Sequence, residues 1–286
     1  MPLTVKELSY TYNKGLPTEH PALHEISFEV AAGEIVSVLG HTGSGKSTLA
    51  QHLNALIIPQ SGTVSVDGID TSAGTAAARE ARRKVGLVFQ YPEEQIFAET
   101  VADEIAFAPR NWGAGEDEIK EIIPEAIRAV GLDEKILAAS PYNISGGQKR
   151  RVAIASVIAA RPAYLVLDEP TAGLDGRASL ELIKTLKDFA QKGMGIVHIT
   201  HDIELALDIS AKILVLEDGR ALSWAAPAET AALICAEKIK GLAMPEILEL
   251  AKRLKEAGKI EALTWSPDRL ADELVSAAGI RGSRRH

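Results

Sequence analysis

The sequence predicts an α/β domain built on a mainly parallel sheet, with a small helical appendage behind it. Three observations predict this. Short continuous apolar runs, as expected of strands buried on both faces, alternate with amphipathic helical stretches. A glycine-rich break over residues 40–45 separates one such run from a helix. After about Pro227 the strand signals stop and only helical periodicity remains.

The elements follow in order. Residues 3–12 alternate apolar and polar like a strand, and 26–30 read as a second. Ala31-Ala32-Gly33-Glu34 makes a turn into the β-branched run 35–39, which reads as a buried central strand. A helix is expected over 46–56. Residues 63–66 and 85–89 read as strands, with Asp67-Gly68 as a hairpin turn. From 91 to 139 the pattern turns helical. Ile119, Ile122, Ile123, Ala126, Ile127 and Val130 form its apolar stripe, Glu118, Glu121 and Glu125 face away, and Gly131 reads as a C-cap. A helix follows Ser145 and stops at Pro162. Residues 164–167 read as a buried strand, 182–189 as a helix, and 195–200 and 213–216 as strands. Residues 228–240 are helical. Ile247, Leu248, Ala251 and Leu254 mark a helix ending at Gly258, and Ser266-Pro267 starts another. The domain reading is therefore 1–226, an appendage over 227–280, and a basic tail over 281–286 to which nothing is assigned.

At about 150 residues per domain, 286 residues allow one large domain with a small addition. A net charge of −8 argues against a broad nucleic-acid-binding surface and predicts no nucleic-acid partner. The single cysteine, Cys235, cannot close an intrachain disulfide, which suits a reducing compartment. No run of 18 apolar residues occurs, and the first residues lack a signal-peptide core. A cytosolic protein is expected, with any membrane connection made through a partner.

Gly40-His41-Thr42-Gly43-Ser44-Gly45-Lys46-Ser47-Thr48 carries the strongest chemical signal. It fits the phosphate-loop pattern of Gly, four residues, then Gly-Lys-Ser/Thr. The glycines let backbone N–H groups curl around an anion, and the helix start adds its positive dipole end. Lys46 should reach the β and γ phosphates, and the Ser47 hydroxyl should ligate Mg2+. Tyr164-Leu165-Val166-Leu167 then runs into Asp168 and Glu169. Strand C-termini face the ligand crevice of a parallel sheet. Asp168 is suited to hold Mg2+, and Glu169 to act as general base on the attacking water. Taken alone, such a pair also fits a solvated acidic turn. Ser145-Gly146-Gly147-Gln148 before a helix offers a hydroxyl, free N–H groups and a dipole, a second anion-binding constellation. In isolation it would pass for an ordinary N-cap.

Together these motifs resemble the ATPase subunits of ATP-binding cassette (ABC) proteins: a Walker A loop, then Ser-Gly-Gly-Gln about 20 residues before a Walker B strand. Gln90 looks like the Q-loop glutamine, Ala172-Gly173-Leu174-Asp175 resembles the D-loop, and His201 looks like the switch histidine. Tyr12 resembles in position the aromatic that stacks on adenine, with Tyr10 a rival. The bland readings are a core histidine, a strand-end glutamine and a packing tyrosine. The resemblance covers about the first 225 residues. It implies a P-loop NTPase fold with an antiparallel β subdomain and a helical subdomain over about 91–160. It also implies two cassettes paired head to tail, each ATP lying between one Walker A and the other signature. Ser145, Gly146, Gly147, Gln148 and Asp175 would then serve the nucleotide site across the pair. His201 would orient the γ-phosphate, and Gln90 would sense Mg2+ and the nucleophile.

Branches of the family differ in architecture. DNA-maintenance ATPases insert a very long coiled coil between Walker A and the signature, whereas Lys46 and Ser145 are 99 positions apart. The translation-factor branch carries two cassettes per chain, and this chain has one. The window from Phe89 to Val101, with Gln90-Tyr91-Pro92-Glu93-Glu94-Gln95-Ile96-Phe97, resembles the energy-coupling factor ATPases that drive uptake of vitamins and of cobalt or nickel ions. That resemblance implies several partners: a second ATPase, identical or paralogous, a transmembrane coupling protein and a small substrate-binding membrane protein. It places the chain on the cytoplasmic face of the membrane. Ile96 and Phe97, with Glu93, Glu94 and Glu99, are expected to form a groove for a basic amphipathic helix, although both apolar residues also suit a core. The extension would help hold the ATPase pair, and its stripe at 247–254 equally suits packing on its own domain. Another ABC importer, a cytosolic ABC ATPase and a plain P-loop kinase are the competing readings.

Overall fold

A computed structural model describes residues 1–277. The tail at 281–286 and the last residues assigned to the appendage lie outside the described residues. Ten strands form one sheet: β1 (Leu3–Tyr12), β2 (His20–Val30), β3 (Ile35–Gly40), β4 (Ser61–Val66), β5 (Ile69–Asp70), β6 (Val85–Val88), β7 (Tyr164–Asp168), β8 (Gly195–Thr200), β9 (Lys212–Glu217) and β10 (Arg220–Ala225). Their order is β5-β4-β1-β2-β10-β9-β3-β8-β7-β6. Strands β6, β7, β8, β3 and β9 run parallel, whereas β1, β2, β4 and β5 form an antiparallel wing.

The three central strands are buried along their whole length, as continuous apolar runs covered on both faces must be. Their register positions the chemistry. Leu39 pairs with Thr200, and Asp168 with Ile199. The C-terminal ends of β3, β7 and β8 therefore lie side by side, and everything placed just beyond them shares one edge.

The helices are α1 (Lys46–Leu53), α2 (Thr75–Lys84), α3 (Val101–Asn111), α4 (Glu116–Ala129), α5 (Gly146–Ile158), α6 (Gly176–Gln191), α7 (Ile203–Ile209), α8 (Pro227–Ala236), α9 (Glu246–Glu256) and α10 (Pro267–Ala277). The stripe of α4 is buried with Ile105 and Val152, so α3, α4 and α5 form a helical layer that shares one core with Leu165 and Leu167. Among the described residues no helix is long and apolar enough to cross a membrane.

The structure differs from the expectations in instructive places. α2 carries only alanines, Ala78 and Ala81, on its buried side, and small apolar residues leave a weak periodicity. α7 is short and is held by its N-cap, with Asp202 accepting from the Leu205 N–H at 3.0 Å. β10 lies between β2 and β9 and is partly exposed, without clean alternation. The hairpin at Asp67-Gly68 forms between β4 and β5, both turn residues having positive φ.

After β10 the chain is helical, but α8 is not separate from the main body. Its Ala231, Ile234 and Cys235 share a core with Leu39 and Val215. The stripe of α9 is also used within the chain. Leu248 joins that core, and Ala251 packs with Ile260 and Leu270. Ser266 caps α10 with Pro267 at its first position, as its sequence suggests.

Candidate active site

Gly40 ends β3, and the loop to α1 requires glycine for steric reasons. A Cβ at Gly40 would lie 2.5 Å from the Leu216 carbonyl. Gly45 has φ +104, and a Cβ there would lie 2.6 Å from the Ala22 carbonyl. The loop thus wraps tightly and delivers Lys46 to the start of α1. Lys46 is buried, its ammonium donating to the carbonyls of Gly40 at 2.7 Å and His41 at 3.0 Å. Burial pulls its pKa down, while Glu169 and Asp168 oppose that.

Ser47 donates to Asp168 Oδ2 at 2.6 Å. Burial pushes the Asp168 carboxyl up, against the Ser47 hydrogen bond and the Lys46 charge. Glu169, just past β7, has φ +51 and donates its N–H to the Ile199 carbonyl at 2.9 Å. A left-handed glutamate is a strained conformation of the kind that clusters at functional sites. Its Oε1 lies 2.9 Å from His201 Nδ1, and the His201 ring is otherwise well exposed, at 69%.

These groups line one open cleft of 320 Å³. Tyr12, Thr42, Gly43, Gly45, Lys46, Ser47, Thr48, Gln90, Asp168, Glu169 and His201 all border it, together with His20 and Ala22. Tyr12 donates to or accepts from the Thr48 hydroxyl at 3.2 Å. Tyr10 does not reach the cleft and instead packs edge-on against His52. Gly40, His41 and Ser44 belong to the loop but do not line the cleft, Ser44 being buried and His41 turned toward Asp218.

The Ser145 group lies outside the cleft. Ser145 and Gln148 form a reciprocal capping box on α5, with contacts of 3.3 and 2.9 Å. Gly146 and Gly147 have ordinary φ, and a Cβ on either would meet nothing within 4 Å. The fold of a single chain therefore gives no reason for glycine at either position. Asp175 is likewise outside the cleft and caps α6 through the Ala178 N–H at 2.8 Å.

One feature escapes sequence reasoning. Arg150 is buried and binds Glu93 through two contacts of 2.9 and 3.1 Å, while also donating to the Pro170 and Ala172 carbonyls. Glu93 is held below the usual carboxylate range by this guanidinium, against the opposing effect of burial. Such a junction joins segments far apart in sequence and has no local signature. A groove of 380 Å³ lies after Gln90, where the sequence leads one to expect it, but its lining differs from the expected one. Phe97 and Phe107 stand edge to face in it with ring centroids 4.8 Å apart, beside Trp112, Arg82 and Arg83. The acidic lining expected from Glu93, Glu94 and Glu99 is not found. Glu93 is spent on Arg150, and neither Glu94 nor Glu99 borders the groove. Ile96 is a core residue. The carboxylate that does border the groove, Glu104, accepts from the N–H groups of Phe97 and Ala98.

Comparison with known proteins agrees with this geometry. Residues 23–172 match the ABC transporter family. The chain is 42% identical to the energy-coupling factor transporter ATP-binding protein EcfA2 of Caldanaerobacter subterraneus subsp. tengcongensis, over 90% of this chain and 91% of that one. It is 40% identical to the EcfA2 of Symbiobacterium thermophilum over the full length of both. Among solved structures it resembles cbiO1 from Clostridium perfringens, part of the ABC transporter complex cbiONQ. The TM-score is 0.74 at 33% identity, covering 90% of this chain and 96% of that one. It also resembles the dimeric ATP-binding cassette MJ0796 bound to ADP and Pi, with a TM-score of 0.70 at 29% identity, covering 79% and 99%. The chain belongs to the ABC transporter family and, within it, to the energy-coupling factor transporter ATP-binding proteins.

Proposed function

We propose that this chain is the ATP-hydrolysing subunit of an energy-coupling factor importer, driving uptake of a vitamin or transition-metal ion through membrane partners. One observation carries the mechanism: the phosphate loop, Asp168, Glu169, Gln90 and His201 share a cleft from which the Ser145 group is absent. A single chain is then half of each ATP site.

The roles follow from the geometry. Tyr12 offers a flat ring at the cleft edge to the adenine. The loop N–H groups and Lys46 take the phosphates. Glu169 accepts a proton from the attacking water, and His201, bound to its Oε1, orients the γ-phosphate. The donor set fits Mg2+. Ser47 Oγ and Asp168 Oδ2 stand 2.6 Å apart in the cleft, and among the described residues no cluster of three or more His, Cys, Asp or Glu forms a full cage. Mg2+ suits a partial oxygen shell, because it keeps water and phosphate ligands. Ser47 and Asp168 would hold it, with Gln90 alongside, and it would supply charge neutralisation at the phosphates.

Ser145, Gly146, Gly147 and Gln148 serve the ATP of a second ATPase, identical or paralogous. Their open glycines leave room for a phosphate arriving from outside the chain. The groove at Phe97 and Phe107 receives a helix of a transmembrane coupling protein, which in turn works with a small substrate-binding membrane protein. On this reading the chain is peripheral, on the cytoplasmic face, with residues 1–226 as the ATPase domain, about 91–160 as its helical subdomain, and 227–280 as the appendage.

Mass spectrometry of what co-purifies with this chain, tagged, from gently solubilised native membranes tests the reading. A second ATPase and a multi-span membrane protein are expected. Recovery of soluble partners alone would overturn it.

A further inference from the structure

The second residue of the phosphate loop faces away from the cleft and lies against the segment joining α8 to α9. His41 Nε2 is 3.2 Å from Asp218 Oδ1, and the His41 side chain is only 14% exposed. Asp218 belongs to the turn between β9 and β10. The next residue, Gly219, donates its N–H to the Ser44 carbonyl at 3.1 Å, so the turn is bonded to the loop backbone. Lys240 meets the same turn from the C-terminal side. Its Nζ donates to both Asp218 oxygens at 2.8 and 3.0 Å, and its N–H donates to Glu217 Oε1 at 2.6 Å. Gly241 then crosses His41 at φ +66, and a Cβ there would collide with the His41 Cβ. The crossing is anchored, since Ile239 is buried in the core that contains Leu39, the residue before Gly40.

We propose that Gly241 is a positioning residue for the phosphate loop, holding His41 against Asp218 and thereby coupling the C-terminal helices to occupancy of the ATP site. The inference rests on the ATP-site reading above. The backbone contact carries it rather than the ion pair. Lys240 and Asp218 are each 60% exposed, and an exposed pair contributes little. A close-packed contact cannot yield without moving either the loop or the segment. Coupling between binding sites is reciprocal, so whatever the segment does to nucleotide affinity, nucleotide must do to the segment.

Two measurements on the full chain test this. Calorimetry with ADP should find Gly241→Ala weakened by roughly fivefold or more relative to the unchanged chain. In the assembled transporter the same change should fall on KM for ATP rather than on kcat. Amide exchange of residues 239–242 in the unchanged chain should slow with ADP by more than that of β4. Should Gly241→Ala not fold, the exchange measurement decides. A folded Gly241→Ala that binds ADP within twofold of the unchanged chain, or amides at 239–242 that ignore ADP, would overturn the proposal. An unchanged chain that binds no ADP would instead refute the ATP-site reading.

Discussion

Glu169 illustrates how much of the site a single residue carries. Its backbone is strained, its amide is tied to Ile199, and its carboxylate meets His201. Loss of a general base typically costs 10²–10⁴ in rate, so Glu169→Gln should lower turnover of the assembled complex at least about 100-fold. Affinity of the chain for ATP should persist, because on the proposed reading the loop and Lys46, not Glu169, bind the phosphates. Normal turnover in that variant would remove Glu169 from the role. His198 makes a different prediction. It is fully buried beside Ser37, and burial holds its pKa down at about 4. The unfolded chain takes up this proton below pH 6.5, the native chain only near pH 4. Stability contributed by neutral His198 is therefore present above pH 6.5 and is lost as pH falls toward 4. Between pH 7 and pH 5, urea unfolding of the unchanged chain should lose about 2 kcal/mol more than that of His198→Gln. Equal losses would contradict the assignment. At this scale the sequence was informative where a motif is contiguous, as in residues 40–48 and 168–169. It was silent on the Arg150–Glu93 junction, whose partners are 57 positions apart.

At the scale of elements, the strands were legible because buried parallel strands are short, apolar and β-branched, and the register of β3, β7 and β8 then sets the site. α2 was not legible because its buried face is alanine, and α7 because about two capped turns leave too short a pattern. The groove was legible in place but not in chemistry. Phe97 is 59% exposed and Phe107 46%, an unusual exposure for paired aromatics. Phe97→Asp should abolish co-purification with membrane partners while leaving ATP affinity of the isolated chain within twofold. Retention of those partners would place the docking surface elsewhere. Arg150 joins α5 to Glu93 and to the carbonyls of Pro170 and Ala172, so α5 is tied to the turn that follows Gln90.

Across the whole molecule, the distribution of chemistry explains the need for a partner. The cleft holds the phosphate loop and both carboxylates, and the capping box of α5 presents its glycines elsewhere. The C-terminal helices were legible as helices. Their use was not, because an apolar stripe does not say whether it packs on its own chain or on another, and here Leu248 and Ala251 pack on their own. On the proposed reading this chain completes an ATP site that it does not itself contain. Gly147→Asp tests it most directly, because the position is sterically open within the chain and its charge would repel only an approaching phosphate. The measurement is ATP turnover of the assembled transporter alongside ATP affinity of the isolated chain. Turnover should fall more than about tenfold while affinity stays within twofold. Full turnover with Gly147→Asp would contradict the account.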